Sequence, residues 1–113
     1  MGTRADYVVQ QLMEVKMKLE AIQLDRAALS LSVSGDIDFD HFEAFAEPLA
    51  HALDCRVRER QWGADRHQWL LEFEGTSLWL NYEFYGNICW LSVEREADFE
   101  VLEYLATLLK SYV

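Results

Sequence analysis

The segment QWLLEFEGTSLWLNYEFYGNICWLSVE, residues 68–94, decides the fold. Along this segment one set of alternate positions is consistently apolar, whereas the positions between them mix polar, charged and aromatic side chains. This pattern is typical of strands that bury one face. Gly75 and Gly86 each belong to a short turn between two such stretches. A loop of odd length at 63–67 extends the alternation backwards, because an even loop would turn the apolar side chains to opposite faces. The pattern predicts an antiparallel meander with strands over about 55–62, 68–74, 77–85 and 88–94.

A further strand and two helices flank the meander. Residues 28–34, ALSLSVS, place an apolar side chain at every second position and predict another strand with one buried face. Apolar residues at helical spacing predict helices over about 39–53 and 97–112, and Pro48 should kink or split the first of them. With both helices on one face of the sheet, the predicted fold class is α+β, a two-layer sandwich.

The first 26 residues carry the pattern of an amphipathic helix. Apolar side chains between residues 4 and 24 recur at spacings of three and four, which is a heptad seam. The seam consists of Ala5, Val8, Leu12, Val15, Leu19 and Ile22. Two arrangements remain open: the helix packs on its own domain, or it pairs with its copy in a dimer. The predicted organisation is an N-terminal helix at 1–26 and one α+β domain at 27–113, in the order α-β-α-β-β-β-β-α.

Two short stretches also resemble a known family. The β-α-β-β-β-β-α order, with WGADRHQW at 62–69 and LLEFEG at 70–75, is similar to a family of short bacterial proteins grouped as a domain of unknown function. The resemblance covers roughly residues 28–109. It implies a common core fold, with the N-terminal helix outside it, and it assigns no catalytic residues.

Composition bounds the class of protein. With 113 residues the chain forms one domain, and 51% hydrophobic residues supply its core. Twenty acidic against ten basic residues give a net charge of −10, which argues against a nucleic-acid or membrane partner. Without a signal sequence or a membrane-spanning run, the expected location is the cytoplasm. Cys55 and Cys89 are therefore expected to be free thiols that serve packing.

The predicted register places an unusual set of side chains on the sheet face turned away from the two helices. Indole and guanidinium groups emerge there together, and solvent-facing surfaces rarely collect so many aromatic side chains. Arg56 and Arg58 have an alternative explanation as cross-strand partners of Glu74 and Glu72, whereas no carboxylate lies opposite Arg60. This face and the seam of the first helix supply the predicted partner-binding residues: Arg58, Arg60, Trp62, Trp79, Tyr85, Trp90, Leu12, Val15 and Leu19.

The sequence lacks the motifs of enzymes and of cofactor or metal sites. There is no glycine-rich phosphate loop, nucleophile elbow or C-x-x-C pair, so no cofactor or metal is expected. The first expectation is a non-catalytic cytoplasmic interaction domain, adaptor-, chaperone- or immunity-like, that forms a homodimer and binds a protein partner. The alternative is a small enzyme or an anion-binding sensor that uses the arginine-rich strand at 56–60 with Glu59 or His67.

Overall fold

A computed structural model describes residues 17–113. They form the strands β1 (Leu19–Asp25), β2 (Ser30–Gly35), β3 (Arg56–Trp62), β4 (Arg66–Phe73), β5 (Thr76–Glu83) and β6 (Ile88–Ser92). The two α-helices are α1 (Glu43–Ala52) and α2 (Phe99–Leu109). The α+β class expected from the sequence is confirmed. The predicted seam residues Leu12 and Val15 lie outside the described part of the chain.

The six strands form one antiparallel sheet with the order β1-β2-β6-β5-β4-β3. The four-strand meander is confirmed, and β2 joins it beside β6. From β2 the chain passes through α1 to reach β3 at the opposite edge, while α2 follows β6 and packs on β1 and β2. The side chains on one sheet face form a single hydrophobic cluster with both helices, which is the two-layer arrangement.

The pairings within the meander differ from the predicted ones by two residues. Leu80 pairs with Leu91, for example, whereas the sequence pattern matched it with Val93. The reason is that four residues, 84–87, separate β5 from β6 instead of two. The β4–β5 pairing is shifted by the same amount. Because side chains alternate with a period of two, this shift leaves each of them on its predicted face.

The start of the described chain contradicts the predicted helix over 4–24 from Leu19 onward. Residues 19–25 form β1, which pairs with β2 and so belongs to the α+β domain. Leu19 is 3% exposed and packs in the core of its own chain, so it is not a partner-binding residue. A bulge between Leu19 and Ala21 explains the helical spacing, because it lets Leu19 and Ile22 face the same side of a strand although they are three residues apart.

The predicted helix over 39–53 is divided, as Pro48 suggested, but the division lies at Phe42. A 3₁₀ turn at Phe39–His41 precedes α1, and the Asp38 carboxylate caps that turn by accepting a 3.0 Å hydrogen bond from the Asp40 backbone N–H. The Phe42 side chain at the junction is fully buried. Its ring contacts inward-facing residues of β4 and β5, which fixes the start of α1 against the sheet.

Gly35 provides a test of how α1 is seated on β2. A Cβ atom at Gly35 would lie 2.9 Å from Cε1 of the buried Phe45 in α1. We expect Gly35→Ala to lower the free energy of unfolding by about 1–3 kcal/mol through overpacking. Gly63→Ala is the matched control, because the nearest atom to its Cβ would be Arg66 Cγ at 3.8 Å. Urea unfolding of both variants measures the difference, and equal stability would contradict the contact.

Candidate functional site

A β-bulge in the edge strand β3 decides which side chains share a surface. Arg56 and Val57 pair with β4 in one register, but the register shifts between Val57 and Glu59, so Arg58 is the extra residue. Beyond the bulge, Arg60 pairs with Trp69 and lies on the helix side of the sheet. The prediction that Arg60 and Trp62 emerge on the face away from the helices is therefore wrong for both residues.

Two interactions hold the Arg60 side chain on the helix side. Its NH2 and Nε groups donate to Glu47 Oε1 of α1 at 2.5 and 3.2 Å. Its guanidinium carbon also lies 4.8 Å from the centroid of the Trp69 ring. The carboxylate neutralises the arginine and the indole covers one side of it, so Arg60 is not an open anion-binding group.

Arg56 and Arg58 are also engaged by a carboxylate. Both guanidinium groups approach Glu72 Oε1 on β4, Arg56 at 3.6 Å and Arg58 as a short hydrogen-bonded ion pair. The sequence pattern set Arg58 opposite Glu72 and Arg56 opposite Glu74. In the structure the pairing is shifted, so Arg56 is the residue opposite Glu72, and Arg58 forms its expected ion pair with Glu72 from the bulge. The arginines of this strand are thus paired with Glu72 and Glu47.

Trp62 borders a cleft of about 380 Å³ between β3 and the start of α1. We call this the edge cleft; it is lined by Phe39, Asp40, Phe42, Glu43, Arg60, Trp62, His67 and Trp69. The Trp62 side chain is 73% exposed at its mouth. His67 is held in the wall: its Nε2 donates to the Phe39 carbonyl at 2.8 Å, and its ring stacks on Phe42 at 4.5 Å.

The sheet face turned away from α1 and α2 has no element packed on it within residues 17–113. We call it the open face; its central residues are Ser30, Ser32, Ser34, Gln68, Leu70, Trp79, Asn81, Trp90 and Ser92. Trp79 and Trp90 lie here as predicted and are half-buried by their neighbours. Tyr85, by contrast, lies beyond the end of β5 in the loop to β6 and is 80% exposed, so the predicted placement on this face is wrong.

Asn81 organises the centre of the open face. Its side chain is buried, at 8% exposure, although it points away from the core. The amide donates to Ser92 Oγ at 3.0 Å and to the Trp90 carbonyl at 3.2 Å, and it accepts from Gln68 Nε2 at 3.1 Å. Asn81 is not among the residues selected from the sequence, but alternation places it on the same face as Trp79, and that position was the available signal.

The two candidate catalytic residues of the alternative hypothesis lie on different faces of the sheet. Glu59 pairs with Leu70 and lies on the open side of β3, whereas His67 lies on the helix side. The part of the chain that the structure describes holds no group of three metal-ligating side chains. Burial raises the pKa of Cys55 to about 12 and also raises the pKa of Cys89, which disfavours the reactive thiolate at neutral pH.

Comparison with protein families identifies the chain. The model of a family described as "Protein of unknown function (DUF3630)" matches residues 19–110. The chain belongs to this family. The match begins at the first residue of β1 and extends past the end of α2, so the DUF3630 domain includes β1, whereas the resemblance noted from the sequence started at residue 28.

The other comparisons add no relatives: no curated protein and no solved structure matches this DUF3630 chain. In residues 17–113 neither helix combines the length and the apolar character needed to cross a bilayer. The site must therefore be interpreted from its own geometry.

The two cysteines give a direct test of their environment. Because burial raises both thiol pKa values, we expect Cys55 and Cys89 in the folded protein to react with a disulfide reagent at pH 8 at least about a hundredfold more slowly than in the unfolded chain. Absorbance of the released thiolate follows the reaction, and the same protein in urea is the control. Fast modification of the native protein would show that one thiol is activated.

Proposed function

We propose that the DUF3630 domain is a non-catalytic, cytoplasmic protein-interaction domain that works as a homodimer joined through the open face. The observation that carries the proposal is the composition of this face. Its centre holds two tryptophans and uncharged polar side chains, whereas charged residues border it. Protein interfaces have the same anatomy, with aromatic residues enriched and charged residues depleted at the core and a polar rim around it.

A second copy of the chain can cover the open face symmetrically. A two-fold axis parallel to the strands, in the plane between two stacked sheets, would place the β1 edge of one copy over the β3 edge of the other.

The sizes of the side chains on the open face are complementary in the same two-fold arrangement. Because the order is β1-β2-β6-β5-β4-β3, the axis superposes β6 on β5 and β2 on β4. Trp90 would then meet Asn81 of the second copy, and the short serines of β2 would meet the longer Gln68 and Leu70. Large side chains thus lie opposite small ones, as in the interdigitated core of an aligned β-sandwich.

The area is sufficient for a specific dimer. Six strands about 4.8 Å apart and about five residues long give a face of roughly 500 Å². Two such faces bury roughly 1,000 Å², which is the lower limit for a specific protein interface. The net charge of −10 per chain opposes association, but the uncharged centre keeps that repulsion at the periphery of the contact.

Ser32→Arg tests the proposed dimer in the full chain. Ser32 lies on the open face between Gln23 and Trp90, so an arginine there places an unpaired charge in the interface without removing a core contact. We expect the parent chain to have twice the 13.2 kDa mass of the monomer in light scattering at about 100 µM. The Ser32→Arg variant should have the monomer mass.

Ser111→Arg is the matched control, because Ser111 is exposed in the C-terminal 3₁₀ turn, away from the open face. This variant should remain dimeric. A monomeric parent chain would contradict the proposal. A Ser32→Arg variant that stays dimeric would place the interface elsewhere.

A further inference from the structure

A second surface lies at the β3 edge, on the other side of the sheet from the proposed dimer contact. We propose that the edge cleft and the adjoining edge of β3 bind an extended basic peptide of another protein, which adds to the sheet as a seventh strand and inserts a lysine or arginine side chain into the cleft. This inference is independent of the proposed dimer, because it uses the edge and helix side of the sheet.

The backbone of β3 is available for such pairing. Gly63 donates its N–H to the Arg66 carbonyl at 2.9 Å, so these two residues form a hydrogen-bonded antiparallel pair. Hydrogen-bonded and non-hydrogen-bonded pairs alternate along an antiparallel ladder. The N–H and C=O groups of Arg60 and Trp62 therefore point away from β4, towards the open edge. An extended peptide can pair with such groups.

The bulge limits where a peptide can add. At Arg58 the extra residue breaks the regular ladder, and bulges with charged side chains are the usual protection of an edge strand against uncontrolled pairing. Beyond it, residues 59–62 keep a regular register with β4. The available edge is thus short, and it lies directly beside the edge cleft.

The lining of the edge cleft selects a cation. Successive side chains of a strand point to opposite faces, so every second side chain of an added peptide would point to the helix side and towards the cleft. There the exposed indole of Trp62 offers a flat surface to an aliphatic stem, and the exposed acidic residues Asp40 and Glu43 also line the cleft. The only arginine of the lining, Arg60, is already paired with Glu47. Aromatic and carboxylate groups together favour lysine or arginine.

A peptide titration of the full chain tests the inference. The probe is a capped heptapeptide that alternates threonine and lysine. NMR spectra of the protein's backbone amide groups monitor its binding. We expect saturable shifts centred on Arg60 and Trp62, with a dissociation constant below about 1 mM. A peptide of the same sequence with every backbone amide N-methylated keeps the charge but lacks backbone N–H donors, and one with glutamate in place of lysine reverses the charge; both should bind at least about tenfold more weakly.

Matched protein variants locate the contact. Trp62→Gln should weaken binding at least about fivefold, since the exposed indole provides the stacking surface. Asp40→Asn with Glu43→Gln should weaken it at least about threefold, whereas Glu20→Gln with Glu100→Gln, which removes the same charge elsewhere, should change it less than about twofold. Ser32→Arg should bind as the parent does, which separates this inference from the dimer.

Several results would contradict the proposal that the edge cleft and the β3 edge bind a basic peptide as an added strand. Equal binding of the N-methylated peptide would show that general electrostatic attraction explains the interaction. Shifts that map to Trp90 would place the peptide on the open face, and shifts at Arg60 that depend on protein concentration alone would identify a second copy at this edge. The absence of binding at about 1 mM peptide would also contradict the proposed peptide site.

Discussion

The structure depends on the burial of one face of the sheet against two helices. Along β5 the side chains of Leu78, Leu80 and Tyr82 point into the core, so Trp79 and Asn81 must point to the other side. The strands that pair with β5, directly or in turn, follow the same division. The hydrophobic contact that stabilises the fold therefore also creates the open face, whose side chains are not needed for the core.

The same constraint explains how much the sequence could predict. Alternation assigned Trp79 and Trp90 to the open face correctly, although the β5–β6 pairing was displaced by two residues, because a two-residue displacement does not exchange the faces. Alternation failed for Arg60, because the bulge at Arg58 moves the following side chains to the opposite faces, and no glycine in this segment indicates a bulge. A second bulge, in β1, misled the prediction of secondary structure, because it gives Leu19 and Ile22 the apolar spacing of a helix although both lie in a strand.

The open face and the edge cleft differ in chemistry, which suits them to different partners. The open face is uncharged at its centre and offers indole and amide groups, whereas acidic residues belong to the lining of the edge cleft. In a dimer with its axis parallel to the strands, the two β3 edges lie on opposite sides of the assembly. Such a dimer would present two peptide sites, and a partner with two basic segments would gain from binding both if its linker spans them.

The arginines of β3 show how the edge can stay open. In an acidic chain, three of the ten basic residues lie on this one strand, and each guanidinium is paired with a carboxylate of a neighbouring element. Glu72 draws Arg56 and Arg58 over β4, and Glu47 draws Arg60 over the helix side. The side chains are thereby held to either side of the strand instead of lying along its edge. The backbone beyond the bulge is left exposed between them, which is the geometry that an added strand requires.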